Sequence, residues 1–358
     1  MSARTLGQVR VVGTGLLGTS IGLGLSALDV DVVLHDVSPS TLALAVDYGA
    51  GRRARPDDEP ALLVVAVPPD RTAEVVAAEL AASPSSLVTD VASVKAGVLD
   101  ALRAGGAPLE RYVGSHPMAG RERSGPIAAR ADLFLGRPWV IAPHVASATE
   151  QVAALEALAR DLGAVPTTLA ADRHDAAVAV VSHAPQLVSS LLAARLVDAP
   201  EHATDLAGQG LRDTTRIAAS DPALWLQILS ANAARVAPVL AALRDDLDAV
   251  LGALQDPAAP GAQRALADAL AAGNSGVARI PGKHGVDLRT TTLTVLIDDR
   301  PGQLARLLTE IGEMAVNLED MRLEHSPGAP IGIVEVSVLP EAAAGLETDL
   351  VRRGWRVA

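Results

Sequence analysis

Apolar positions in the first half of the chain switch between two periods. Short β-branched runs fall at Val9–Val12, Val30–Leu34, Ala61–Val67, Leu87–Val91, Tyr112–Gly114, Trp139–Ala142 and Val165–Leu169, with longer helical patterns between them. That alternation predicts a parallel sheet covered by helices. After about Ala171 the strand signal stops, and Asp172–Leu254 reads as Ala/Leu/Val-rich helices broken at Pro185, Pro200 and Asp221-Pro222. Asp256–Gly261 reads as a turn or hinge, and the Gly- and Pro-containing Asn274–Gly285 as a linker. A further unit follows: strand Thr291–Ile297, helix Gln303–Met314, strands Asn317–Glu324 and Ile331–Leu339, helix Glu341–Arg353 and strand Trp355–Val357. This is the split βαβ, ferredoxin-like order of an α+β domain.

At 358 residues the chain has room for two or three domains, each with its own core. Thirty basic against 42 acidic residues give −12, so no general field draws it to nucleic acid or anionic lipid, and neither is expected as a partner. An anionic ligand must be held by local cations. The absence of cysteine removes disulfides, thiolate nucleophiles and Cys-ligated metal sites, and fits a reducing compartment. Val11–Leu28 is uncharged for 18 residues and follows Arg4 and Arg10, which raises a membrane anchor or signal peptide. Its five glycines weaken a lone helix, and Asp29–Leu34 continues it as a folded strand. A soluble cytoplasmic protein is expected.

Gly13-Thr14-Gly15-Leu16-Leu17-Gly18 matches GxGxxG, follows the strand Val9–Val12 and opens an apolar helix. The first glycine permits the tight turn, the second lets backbone approach a pyrophosphate, and the third allows close helix–strand packing. Asp36 lies 18 residues beyond Gly18, where a carboxylate accepts ribose hydroxyls and repels a 2′-phosphate; NAD is favoured over NADP as the cofactor. Val67-Pro68 ends the third strand at the edge where a dinucleotide would lie, which makes both contact candidates. These features predict an α/β chain with an N-terminal Rossmann-type doubly wound sheet over residues 1–170 as the NAD-binding domain.

Two polar clusters end the fourth and fifth strands: Asp90-Val91-Ala92-Ser93-Val94-Lys95 and Gly114-Ser115-His116-Pro117-Met118-Ala119-Gly120. Both should face one crevice. Pro117 keeps His116 extended, and imidazole titrates near neutrality, so His116 could take a proton from a substrate hydroxyl as hydride leaves the same carbon. Ser93 could supply the adjoining hydrogen bond. In the helical part Arg212 and Arg216 are four apart, a spacing that stacks two cations on one helix face, suited either to a carboxylate or to a solvated surface with an Asp213–Arg216 pair. His174 and His183 read either way, although Pro185 should disturb the helix beside His183. Trp225 reads as core or interface. No HExxH, paired-His or carboxylate cluster argues for a metal, and neither a GxSxG elbow nor a P-loop lysine is present.

Taken together, the fingerprint Gly13–Gly18, Asp90-x-x-Ser93-Val94-Lys95, Gly114-x-His116-Pro117-Met118-Ala119-Gly120, Val181-Ser182-His183-x-Pro185 and Asp213-x-Thr215-Arg216-Ile217-Ala218 resemble the prephenate and arogenate dehydrogenases of tyrosine biosynthesis. The C-terminal unit, with Asp298–Gly302 before its first helix and Val316–Met321 opening its second strand, resembles an ACT domain. The resemblance implies NAD-dependent oxidative decarboxylation: hydride leaves C4 of a cyclohexadiene, the ring carboxylate leaves as CO2, and the ring aromatises. His116 would accept the C4 hydroxyl proton, with Ser93 beside it, and Arg216 would bind the ring carboxylate. Glu122, His183, Gly210 and Arg212 would line the substrate pocket, and Trp225 would reach a partner subunit's pocket. Arg212 stands where the family pattern leads one to expect lysine. The helical domain over 171–285 would be the homodimer interface, and the ACT unit over 290–358 would bind tyrosine or another aromatic amino acid near Asp299, Gly302 and Asn317. Prephenate is the expected substrate and arogenate the alternative. Two further readings are a β-hydroxyacid or imine reductase, which would normally place a catalytic lysine or aspartate on the first long helix after the sheet, and a non-catalytic sensor of NAD and an amino acid, which needs no acid–base group.

Overall fold

A computed structural model describes residues 3–5, 7–121, 123, 125–281, 290–325 and 331–358. Contacts divide the chain into two compact units, Met1–Pro200 with Thr214–Ala242, and Glu201–Asp213 with Leu243–Ala358.

The first unit opens with five parallel strands, β1 (Val9–Val12), β2 (Val32–His35), β3 (Arg52–Arg53), β4 (Leu62–Val65) and β5 (Leu87–Asp90), in the order β3-β2-β1-β4-β5. Helices α1 (Leu16–Ser26), α2 (Pro39–Asp47) and α3 (Pro69–Ala82) connect them, and α4 (Ala96–Ala104) follows β5. All four residues of β4 are buried because each face of the sheet is covered. Leu62 and Val64 pack with Ile21, Leu25, Leu42 and Ala45; Leu63 and Val65 pack with Val76, Leu80, Val98 and Leu102. Period-two alternation therefore feeds two cores, at roughly 1.5–3 kcal/mol per buried aliphatic side chain, and the sheet is doubly wound. The uncharged Val11–Leu28 run folds into this layer as the end of β1 and the largely buried α1.

The remaining strands of the first half do not extend the parallel sheet. β6 (Gly114–Pro117), β7 (Pro138–Ala142) and β8 (Val165–Thr168) form a second sheet, antiparallel between β6 and β7 and parallel between β7 and β8. A single bridge, Val88 with Tyr112, continues the first sheet before β6 leaves it. The cause lies in the connections. The described part of 118–137 holds only a 3-10 turn, Pro126–Ala128, so β7 returns beside β6, whereas α5 (Thr149–Asp161) supplies the crossover that a parallel β7–β8 pair needs. β3 escaped the hydrophobic reading because it consists of two arginines; Arg52 pairs with Asp58 and Asp31.

From Ala171 the chain is helical: α6 (Ala171–Val178), a π-helical turn at Ala179–His183, and α7 (Ala184–Ala194). Pro185 does not break this run. The lost N–H is absorbed in the widened turn just before it, which is how helices accommodate proline at functional sites. Ala171–Ala194 is long and apolar enough to cross a membrane, yet its His174 and Asp175 are buried and hydrogen-bonded to residues at the strand ends. Then come α8 (Gln209–Thr215), a 3-10 turn at Arg216–Ala219, α9 (Pro222–Ala231, capped by Asp221), α10 (Ala233–Gln255) and α11 (Ala262–Val277).

The second unit ends in β9 (Thr291–Asp298), α12 (Gln303–Glu313), β10 (Asp320–His325), β11 (Ile331–Val338), α13 (Pro340–Arg352) and β12 (Arg356–Val357), an antiparallel sheet in the order β10-β11-β9-β12. Alternate residues of β9 and β11 meet Leu307, Ile311, Leu346 and Leu350 of the two helices in one core.

Candidate active site

The glycine-rich turn can be read atom by atom. Gly13 has φ +96, and a Cβ there would lie 2.5 Å from the Ala66 carbonyl oxygen and 3.1 Å from Val67 Cγ1. A Cβ on Gly18 would lie 1.9 Å from the Gly13 carbonyl oxygen. The fold itself requires these two glycines. Gly15 differs: a Cβ there would meet nothing within 4 Å, so the bare backbone faces open space at the start of α1, where free N–H groups collect an anion. Leu16 and Leu17 begin the helix. Thr14 is buried, and its N–H and Oγ1 donate to Asp36 Oδ2 at 2.6 and 2.9 Å, while Ser38 N donates to Oδ1 at 2.8 Å. Asp36 is thus fixed beside the turn, with a lone pair left on Oδ1 for a ribose hydroxyl. Val67 borders Gly13, and Pro68 is exposed as the N-cap residue of α3. These residues fit a dinucleotide.

Beyond β5 the chain forms a buried polar knot. Asp90 accepts from Lys95 Nζ, from Tyr112 OH at 2.6 Å and from Ala92 N at 2.9 Å, and Lys95 Nζ also donates to the Ser115 carbonyl at 2.7 Å. Burial pulls the Lys95 ammonium down from its ordinary value and pushes the Tyr112 phenol well up. Gly114 is needed here, since a Cβ would crowd Tyr112 OH at 2.9 Å. The knot ties the loop carrying half-buried Ser93 to the strand carrying His116.

His116 is 8% exposed. Its Nδ1 lies 2.9 Å from His174 Nε2, and His174 Nδ1 lies 2.7 Å from Asp175 Oδ1. Burial, then the neighbouring His174, Lys95 and His183, hold the His116 imidazole well below its ordinary 6.5, so it is neutral. Burial alone would push the Asp175 carboxyl up; hydrogen bonds from His174, Lys95 N and Ala96 N outweigh it and leave the group ionised. His183 closes the π turn, 1% exposed, between Asn232 Nδ2 at 3.1 Å and the Trp225 ring, edge-on at 6.0 Å between centroids. Burial lowers its pKa to about 4. Trp225 therefore meets a histidine of its own chain.

Arg212 and Arg216 fall in different elements. α8 ends at Thr215, and Arg216 opens a tighter 3-10 turn, stopped by Ser220 Oγ donating to the Ile217 carbonyl before the Asp221 cap. Gln186 Nε2 donates to the same carbonyl at 3.0 Å, which fastens the turn of exposed Arg216 to α7, just beyond His183. Gly210 and exposed Arg212 belong to the second unit, where Asp213 accepts from Gln209 at 2.7 Å. Glu122 lies outside the described residues. Among the effector candidates, Asp299 and Gly302 sit at the Asp298 end of β9, while Asn317 precedes β10, whose register places it at the Thr291 end. One unit does not bring the three together. Asn232 was not singled out by the sequence, and His174 read either way without a role; the adjacent His174-Asp175 pair on the first helix after the sheet was the available signal.

A nucleotide cradle whose strand-end loops are completed by a helical segment is the architecture of a nucleotide-dependent oxidoreductase. The family described as prephenate dehydrogenase, nucleotide-binding domain, matches residues 23–167, and its dimerization domain matches residues 170–268. The Streptomyces niveus protein named Probable prephenate dehydrogenase NovF is 37% identical over 353 residues, covering 96% of this chain and 98% of the relative. Prephenate dehydrogenase from A. aeolicus, solved in complex with hydroxyphenyl propionate and NAD+, superposes with TM-score 0.66 at 25% identity, covering 76% of this chain and 98% of that one. Arogenate dehydrogenase from Synechocystis gives TM-score 0.62 at 26% identity, over 75% and 99%. The chain belongs to the prephenate dehydrogenase family.

Proposed function

We propose that this chain oxidises and decarboxylates prephenate to 4-hydroxyphenylpyruvate with NAD, in tyrosine biosynthesis. The observation that carries the reading is His116, neutral and nearly buried, at the end of a hydrogen-bonded chain in the same compact unit as the dinucleotide cradle. NAD, when bound, supplies the acceptor for the hydride that leaves C4. Neutral His116 takes the C4 hydroxyl proton, with Ser93 orienting that hydroxyl. The electron pair of the breaking ring–carboxylate bond enters the ring as CO2 leaves, and the now phenolic oxygen takes the proton back. Proton and charge balance without a further acid.

Arg216 binds the ring carboxylate as a planar, bidentate donor. Neutral His183, with Nδ1 turned to the Asn232 amide, presents an Nε2–H to the substrate. By family position Glu122, Gly210, Arg212 and Trp225 are assigned as further substrate-binding residues. Arogenate differs only in carrying an amino acid where prephenate has a keto acid, and the arogenate dehydrogenase neighbour keeps it as the second reading.

Three functional domains are assigned, 1–170, 171–285 and 290–358. The chain acts as a homodimer in the cytoplasm; in support, Leu243, Leu247, Leu251 and Leu254 of α10 are all exposed at helical spacing in the stretch matched by the dimerization domain. The antiparallel β10-β11-β9-β12 unit is assigned as a ferredoxin-like ACT domain that binds tyrosine or another aromatic amino acid at a subunit interface near Asp299, Gly302 and Asn317; its strand order supports the reading.

Exchanging His116 for asparagine tests the assignment. H116N should bind NAD as the unsubstituted protein does and lose about 10²–10⁴-fold in turnover. Normal turnover would reject His116 as the proton carrier.

A further inference from the structure

With Asp175 ionised and His174 neutral, the hydrogen bonds behind His116 allow one consistent set of donors. Asp175, 1% exposed, already accepts from Lys95 N and Ala96 N at 2.8 Å each. As an ionised carboxylate it has nothing to donate, so His174 Nδ1 donates to it across 2.7 Å. A neutral His174 then has only a lone pair on Nε2. His116 Nδ1 must donate to that lone pair across 2.9 Å, and the proton-free nitrogen of His116 is Nε2. We propose that His174, held by Asp175, is a positioning residue that locks His116 in the tautomer with its proton on Nδ1, leaving Nε2 as the lone pair that takes and returns the substrate proton.

This rests on His116 being the proton carrier. It adds a partner that carries no substrate contact, and it gives Asp175 a double task. The same carboxylate that orients His174 accepts the first N–H groups of α4, so the Ser93 loop and the His116 ring share one anchor. Asn232 Nδ2 donates to the Asp175 backbone carbonyl at 2.8 Å and so holds that anchor against α9 and α10. When His116 gains its proton, Nδ1–H still points at His174, and the charge is shared toward Asp175. A wrong tautomer in such a chain costs turnover while leaving binding intact.

The test uses two variants and one spectrum of the full chain. In histidine-selective 15N NMR of the unsubstituted protein, with the His116 resonance assigned by its loss in H116N, neutral His116 should carry hydrogen on Nδ1. His174→Phe keeps a ring but removes the acceptor; kcat should fall about 10- to 100-fold, with KM for substrate and Kd for NAD within about threefold. His174→Gln places an amide oxygen near the lost Nε2 and should recover most of that rate, which a merely space-filling role would not produce. An Nε2–H tautomer in the unsubstituted protein, or wild-type kcat in His174→Phe, would overturn the proposal. Should the unsubstituted protein oxidise neither cyclohexadiene, the functional reading falls, and the spectrum still decides the tautomer. If His174→Phe does not fold, His174→Gln and the spectrum decide.

Discussion

Two alanine substitutions in one turn should separate fold from function. In Gly18→Ala the new Cβ would stand 1.9 Å from the Gly13 carbonyl oxygen and 3.1 Å from Val11 Cγ1, against an ordinary contact of at least 3.4 Å. Strand β1 and helix α1 must part by about 1.5 Å, and both are core elements, so the expected cost is ~3 kcal/mol or more. For a domain of this size that lowers Tm by roughly 6–12 °C. In Gly15→Ala the Cβ meets no atom within 4 Å, and φ of −72 suits alanine, so stability should change by less than about 0.5 kcal/mol. The methyl group instead occupies the approach of the pyrophosphate. Affinity for NAD should fall at least tenfold, or ~1.4 kcal/mol. Thermal unfolding and calorimetric titration with NAD measure the two effects on the same samples. A Gly15→Ala protein that binds NAD within twofold of the original would refute the placement of the cofactor over Gly15.

Arg216→Ala should raise KM by about 10- to 100-fold and change kcat far less, because the guanidinium acts on a carboxylate remote from the proton transfer; steady-state kinetics with an equal fall in kcat would contradict that role. Asp36→Ser should narrow the preference for NAD over NADP, and since Asp36 also holds Thr14 and Ser38 N, affinity for both should drop; an unchanged ratio would mean that the ribose is read elsewhere. His183 has its folded pKa lowered to about 4, so the unfolded chain binds a proton first as pH falls. Its contribution, on the order of 3 kcal/mol, is present above about pH 6.5 and lost between there and pH 4. His183→Asn should therefore flatten the fall of Tm over that window, and an unaltered slope would assign the acid sensitivity to other groups.

Much of this was legible in the residues. The spacing of Gly13, Gly15 and Gly18 after an apolar strand carries its own structural logic, and the contacts at each position match it. The βαββαβ order of the last unit was equally readable, because its long central strands β9 and β11 alternate in burial. Sheet membership was not. Whether β6 joins β5 or β7 depends on a connection without a helix, and local pattern does not reveal that. Arg212 and Arg216 looked like one helical face because the end of α8 is set by side chains and a cap several residues later. His116, His174 and Asp175 lie 58 and 59 residues apart in sequence, and only the packing of α6 against the strand ends brings them into one chain.

The most direct measurement is NADH formation by the purified protein, offered prephenate and arogenate separately, with NAD and with NADP, and with or without tyrosine. The account predicts NAD-dependent oxidation of prephenate, and inhibition by tyrosine if the C-terminal unit binds it. Oxidation of arogenate alone would move the substrate assignment, and no oxidation of either would contradict the reading of His116 and its cradle as the site of this reaction.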